Sequence, residues 1–359
     1  MSTAVELLGY KPKNTLIADI VREQIVNGKF RHGDKLLPDE EIAKEYNVNK
    51  RTVAAGLNTL VKEGLLRRAP RLGTIVVKDT RTNNAVALVI QSKGDVYANI
   101  ARHIAHQLVQ EKFYPVLISD SVVHNSDYNG IVSFLNCMNT PPLLPYGCVI
   151  DGSVEFPYEY LLEKQQVFSN TVFIIKYHYP EKIPWAKYVL VDFVEAGRMA
   201  ARYFIEKGYR KLTCLAVKEG DFKGRWSSMQ AQIMEGFKET CIAAGVKFDE
   251  EIFWSLLHGA PLADTLLKYL GGTDKPDAFF AYSDFFISEQ ILPVLSKLHL
   301  RYPKDIEFIG FYNTHHSLDK KFSSIAINEK AVAEQAFAML TGQCGKQEIL
   351  ISPEMVIRG

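Results

Sequence analysis

Residues 28–76 read GKFRHGDKLLPDEEIAKEYNVNKRTVAAGLNTLVKEGLLRRAPRLGTIV. The punctuation inside this stretch decides what the amino-terminal part folds into. A helix begins near Pro38, with Asp39, Glu40 and Glu41 set against the positive end of its dipole, and runs through Ile42, Ala43 and Tyr46. After a turn at Asn47-Val48, Asn49 can cap a further helix in which Val53, Leu57, Leu60 and Val61 make one apolar stripe, ended by Gly64. Its outer face carries Lys50, Arg51, Thr52 and Asn58. LLRR and GTIVV then flank the turn-like APRL, so Leu65 to Val77 form a two-stranded ribbon with Arg67, Arg68 and Arg71 near its tip.

Working outward, a helix precedes this stretch. It opens at Asn14 or Thr15, spaces Leu16, Ile17, Ile20, Val21 and Ile25 helically, and stops at Asn27-Gly28. Helix, helix, turn, helix, ribbon is the order of a winged helix-turn-helix. A small helical domain with solvated charges is the plainer alternative, but the capped basic helix and the basic ribbon occur together and in order.

The charge distribution agrees. The formal net charge is +1 over 359 residues, yet residues 11–81 hold 15 Lys and Arg against 9 Asp and Glu, while residues 82–359 hold 27 against 31. A basic head on a mildly acidic body directs only the head toward a polyanion.

Residues 78–84, KDTRTNN, are polar and aperiodic and read as a linker. The domains expected are therefore 1–77 for the winged head, 78–84 for the linker and 85–359 for the body. Beyond the linker, apolar runs alternate with helical patterns: AVALVI, YPVLISD, CVIDG, TVFIIK, YVLVD, KLTCLAV, AFFAYSD and IEFIGF. Helices are expected at Ile100 to Gln110, Phe193 to Lys207, Gln230 to Ala244 and Glu289 to Leu298. Continuous apolar strands joined by helices imply parallel sheets, and the length implies two α/β lobes.

The stretch 28–76 resembles the DNA-binding domain of the GntR family of bacterial regulators. That resemblance implies that Lys50, Arg51 and Thr52 begin a recognition helix reaching base edges or phosphates, and that Gly73-Thr74 lies where the wing enters a minor groove. Glu40 stands where the family usually has Arg, Ala54 where a second recognition-helix Arg is common, and Arg71 where the wing has its first Gly. The body resembles the effector domain of the LacI family, itself similar to periplasmic sugar-binding proteins. The matching phrases are AVALVIQSKGDVYANIARHIAHQL (85–108), VDFVEAGRMAARYFIEKGYRKL (191–212), PDAFFAYSDFFISEQILPVLSKLHLRYPKDIEFIGFYNT (276–314) and ILISPEMVIRG (349–359). This pairing is similar to the arabinose-repressor-like branch of GntR regulators.

A sugar site needs an aromatic face and groups that fork onto neighbouring hydroxyls. The resemblance places Tyr97 as the stacking aromatic and Asp284 as the acceptor of ligand hydroxyls, although Asp284 can equally cap a helix. Lys176 ends the strand TVFIIK where relatives hold Asp; it either bonds the ligand or is a solvated lysine. By spacing from Gly236-Phe237, Ile233 replaces the family's sugar-binding Arg, which Arg225, Gln230 or Gln232 can offset. Tyr312 replaces an Asp, with Asn313 following.

Other classes lack their signals. The longest apolar runs fall well short of the roughly 18 residues of a membrane span, and MSTAVELLGYKPKN carries no secretory pattern, so the expected location is the cytoplasm. Five scattered cysteines give neither a disulfide framework nor a zinc spacing. His103 and His106 share a helix face and His315-His316 are adjacent, but neither pair has a third ligand and no metal is assigned. There is no GxxxxGK[ST], GxGxxG or GxSxG motif, so neither a cofactor nor an enzymatic activity is expected.

The resulting expectation is a homodimeric repressor of carbohydrate catabolism that binds a double-stranded operator and is released by a small sugar. The alternatives are a transport-class sugar-binding protein and a sugar-modifying enzyme fused to a DNA-binding head.

Overall fold

The computed structural model describes residues 12–26, 29–30, 33–69, 73–77, 84–91, 94–118, 128–138, 145–152, 158–165, 167–175, 182–216 and 229–358. In the head, helices α1 (Lys13–Val26), α2 (Asp39–Glu45) and α3 (Lys50–Lys62) precede strands β1 (Leu66–Ala69) and β2 (Gly73–Val76). Asn49 caps α3 by accepting the Arg51 N–H at 2.8 Å, and Gly64, at φ +74°, ends the turn that follows. Ile17, Val21, Ile42, Val53, Leu57, Leu60, Leu66 and Val76 close into one apolar core. The ribbon pairs Leu66 with Val76 and Ala69 with Gly73 in antiparallel register. The segment before α2 also joins it: Leu36 N–H donates to Thr74 and Val76 N–H to Asp34, both at 2.9 Å.

The body continues with β3 (Ala85–Val89), α4 (Asp95–Gln110), β4 (Tyr114–Leu117), α5 (Tyr128–Met138), β5 (Gly147–Asp151), α6 (Tyr158–Glu163), β6 (Thr171–Ile175) and β7 (Lys187–Val191). Next come α7 (Phe193–Glu206), β8 (Lys211–Leu215), α8 (Met229–Ala243), β9 (Lys247–Asp249), α9 (Glu251–Leu257), α10 (Leu262–Gly271) and β10 (Ala278–Ala281). Helix α11 is composite, with a π-helical Ile287–Ile291 between Asp284–Phe286 and Leu292–Lys297. The chain closes with β11 (Glu307–Phe311), α12 (His315–Lys320), β12 (Ser324–Ala326), α13 (Glu329–Leu340), β13 (Glu348–Ile351) and β14 (Glu354–Val356).

Among the described residues the strands form two six-stranded sheets, ordered β13-β7-β6-β5-β3-β4 and β14-β12-β11-β10-β8-β9. Every pairing within these two sheets is parallel except β12 with β14. The fold class is therefore α/β, a winged helix-turn-helix followed by a two-lobed periplasmic-binding-protein-like body. Strands β3, β5, β6, β10 and β11 are buried throughout, which is why they read as unbroken apolar runs.

Several elements differ from the sequence reading. Strands β9, β12, β13 and β14 lie outside the sequence reading, because they are only three or four residues long, and all but β12 are largely uncovered. Strand β4 was expected to be buried, but as an edge strand it exposes Tyr114 and Leu117. Helix α4 starts at Asp95 rather than Ile100, after Gly94 at φ +88°. The helix expected from Glu289 begins five residues earlier, because Ser283 caps it by accepting the Phe286 N–H at 3.1 Å.

The chain passes between the lobes at residue 192, at residues 327–328 and at residues 352–353. These crossings are tied together: Asp192 N–H donates to Ile351 at 3.0 Å and the Asn328 amide to Glu354 at 2.7 Å. Asp192 and Asn328 also cap α7 and α13, so each helix starts at a crossing. In the second lobe α7 and α8 touch backbone to backbone. A Cβ on Gly197 would lie 1.9 Å from the Ile233 carbonyl oxygen, and one on Gly236 2.0 Å from that of Val194.

Candidate functional site

On the head, Lys50 and Arg51 are exposed on the first turn of α3 and Thr52 is half-buried beside them. Two of the three acidic residues that open α2 pair with basic groups of the head. Glu40 pairs with Lys50, and Asp39 pairs with Arg68 of β1 at 3.0 Å. The hydrogen bond between them holds the Glu40 carboxyl below its ordinary range and the Lys50 ammonium above it. Arg67 and Gly73 are exposed on the ribbon. Thr74, expected at the groove-facing edge of the wing, is turned inward at 7% exposure. The two-residue strand period puts it on the same face as Val76, toward the head core. Arg71 lies outside the described residues.

In the body, the carboxyl-terminal ends of β10 and β11 bring Asp284, Tyr312 and Asn313 together. Asp284 has no solvent exposure, and the helix cap is not Asp284 but its neighbour. Ser283 is the cap, and the Asp284 carboxylate accepts the Thr314 N–H at 2.6 Å, the Thr314 hydroxyl at 3.2 Å and the Ser324 hydroxyl at 2.7 Å. It thus ties the ends of β10, β11 and β12 into one knot. Burial pushes its pKa up, opposed by the hydrogen bonds from Ser324 and Thr314. Gly310 makes the space: a Cβ there would stand 2.0 Å from the carboxylate oxygen.

This knot holds an unusual loop. Tyr312 and Asn313 have φ of +87° and +49°, a left-handed pair that non-glycine residues rarely adopt. Tyr312 N–H donates to Ile325 at 2.8 Å, and its hydroxyl to the Met229 sulfur at 2.9 Å. Asn313 N–H donates to Ser324 at 3.0 Å, while its side-chain oxygen accepts from Arg358. Arg358 also reaches the Phe322 carbonyl, so the penultimate residue buttresses the loop.

Tyr97 is half-buried on the first turn of α4, packed against the large core shared by the sheets. Two residues before it, Asp95 accepts from His315 Nδ1 at 2.7 Å, joining the start of α4 in the first lobe to the start of α12 in the second. His316 lies 4.0 Å from Glu289, so the adjacent histidines face different carboxylates. His103 and His106 are exposed on α4, and among the described residues no cluster of three metal-ligating side chains occurs. Gln230 and Ile233 are buried in α8. Lys176 and Arg225 lie outside the described residues.

Sequence reasoning missed Thr314, Ser324, Arg358 and Asp95, and weighed His315 only as a metal ligand rather than as the partner of Asp95. Each is an ordinary polar residue whose part depends on a partner far along the chain, and Asp95 and His315 are 220 positions apart.

Residues 14–76 match the family model described as bacterial regulatory proteins, gntR family, and residues 201–359 match the periplasmic binding protein-like domain. The chain is 20% identical over 378 aligned residues to the arabinose metabolism transcriptional repressor of Halalkalibacterium halodurans, covering 96% of each chain. A putative ribose operon repressor from Burkholderia thailandensis superposes with a TM-score of 0.60 at 20% identity, over 77% of this chain and all of that one. A periplasmic binding protein/LacI transcriptional regulator from Alkaliphilus metalliredigens, solved with D-xylulofuranose, gives a TM-score of 0.57 at 16% identity, over 77% of this chain and 98% of its own.

Proposed function

We propose, for a chain that joins a GntR-type DNA-binding domain to a periplasmic-binding-protein-like body, that it is a ligand-responsive transcriptional repressor of carbohydrate catabolism whose operator affinity is set by a small sugar held between the lobes. The observation that carries this reading is the union, on one chain, of a capped basic helix with an arginine-bearing ribbon and a two-lobed body in which Asp95 of one lobe meets His315 of the other beside the polar ends of β10 and β11. Lys50, Arg51, Arg67 and Arg68 supply cations for phosphates or base edges, joined by Thr52, Arg71 and the Gly73 end of the wing.

Tyr97, Tyr312 and Asn313 are the proposed ligand contacts, the resemblance adds Lys176 and Arg225, and Asp284 positions the loop that bears two of the three. Support for a pentose or a related sugar comes from the relatives, one named for arabinose metabolism, one for a ribose operon and one complexed with D-xylulofuranose. Because one winged helix reads one half-site, a homodimer on a palindromic operator is the arrangement that fits. If the sugar favours one setting of the lobes and the operator another, each weakens the other by linkage.

The test is gel retardation of DNA flanking the protein's own reading frame, at low salt, with and without L-arabinose, D-ribose and D-xylulose. Retardation relieved by one of the sugars is expected. Failure to retard any flanking fragment overturns the reading. A thermal-shift screen across hexoses, uronates and sugar phosphates then finds the effector, since a bound ligand stabilises the native state.

A further inference from the structure

Resting on the reading of the crevice as an effector site, we propose that Asp95 and His315 are positioning residues whose contact closes the lobes over that crevice and makes effector affinity depend on pH. The pair joins the two lobes well away in sequence from the three chain crossings. Asp95 is the first residue of α4 and His315 the first of α12; His315 Nδ1 stands 2.7 Å from one Asp95 oxygen, with its backbone N–H 3.5 Å from the same oxygen. The contact spans the proposed ligand segments, since Tyr97 follows Asp95 by two positions and Asn313 precedes His315 by two.

Thr314, at the cap position of α12, makes no side-chain cap, because its hydroxyl is turned to Asp284, and the His315 imidazole and backbone N–H face Asp95. Opening the lobes separates His315 from that carboxylate, and closing restores the contact. Both side chains are half-exposed, so the contact is weak on its own. It matters because it acts on an equilibrium between two settings of the lobes rather than on folding.

The groups that face the pair are Asp319 and His316 on α12, Asp284 on α11 and Glu329 on α13. Glu289 lies near His316. The hydrogen bond to Asp95 raises the His315 pKa above its ordinary value, and the bond from His315 lowers that of Asp95. Closing thus takes up a proton. The closed setting is favoured below the ordinary histidine range and loses that support as pH rises through the raised value.

The experiment measures the distance between nitroxide labels at the exposed positions His103 and Lys320, one in each lobe, by pulsed electron resonance on the full chain with Cys137 and Cys344 replaced by serine. The ratio of closed to open should be about two- to fivefold higher at about pH 5.5 than at about pH 8.5. D95N and H315Q should each flatten that response, and the swapped pair D95H/H315D should restore it. A ratio that ignores pH, or that responds equally in D95N and H315Q, overturns the proposal. So does a response abolished by E329Q, because the titrating group would then be Glu329.

Calorimetry with L-arabinose and D-xylulose forms the second arm. Sugar affinity should fall in D95N by the same factor as closure. If neither sugar binds while the distances behave as stated, the effector reading fails and the closing contact stands.

Discussion

Lys50 illustrates how one neighbour changes what a cation can do. Free, it would be a phosphate anchor; paired with Glu40, it would bring a carboxylate with it to the proposed DNA interface. On that proposal the carboxylate repels phosphates wherever no base edge compensates and so trades general affinity for discrimination. Glu40→Gln should strengthen binding to random-sequence DNA and steepen the salt dependence by about one released counterion. Fluorescence anisotropy across a salt series reads both; an unchanged slope would mean that the pair stands clear of the DNA. Asp284 is the opposite case, a carboxylate that meets only protein. Asp284→Asn replaces an acceptor of three bonds by a group that must donate, and should cost about 1–3 kcal/mol of stability in urea unfolding. Operator binding without sugar should survive, while the sugar response should fall as the Tyr312-Asn313 loop loosens.

Among the elements, the helices of the second lobe are placed by absence of side chain. Gly197 and Gly236 let α7 and α8 meet at their backbones, and neither has room for one more carbon. Gly236→Ala should therefore destabilise the chain by about 1–3 kcal/mol or more, because the obstructing atom is a carbonyl that cannot swing aside. Thermal unfolding checks this, and a change below about 0.5 kcal/mol would show that the helices can slide apart. The strands divide by length and by how much of each is covered. Those buried on both faces, such as AVALV and TVFII, were legible as apolar runs, whereas SIA and EMV were not. A strand of three residues has too few side chains to display a period, and its pairing is chosen by the neighbour already in place.

For the whole molecule, the proposed function requires that two copies be coupled through one duplex and that the crevice report to the head. The full chain should sediment as a dimer at micromolar concentration and protect two half-sites about one helical turn, or a multiple of it, apart. Protection of one half-site by a monomer would remove the two-fold arrangement from the proposal. Saturating sugar should weaken operator binding by about 5- to 150-fold, and saturating operator should weaken sugar binding by the same factor. An operator that leaves sugar affinity untouched would break the linkage.

The amino-acid sequence alone determined the winged head, from the Asn49 cap to the Gly64 stop and the arginine ribbon, because capping, helical stripes and turns act between residues close along the chain. It also determined the α/β class of the body, since buried parallel strands must be apolar along their length. The crevice was legible only in part. Tyr97, Asp284, Tyr312 and Asn313 were picked out by resemblance, but that Asp284 is sealed beneath its loop, that Thr74 turns inward and that Asp95 meets His315 were decided by tertiary structure. The reason is physical: a polar side chain takes its role from the partner it reaches, and partners 30 to 220 positions away are brought within bonding distance only after both sheets have formed.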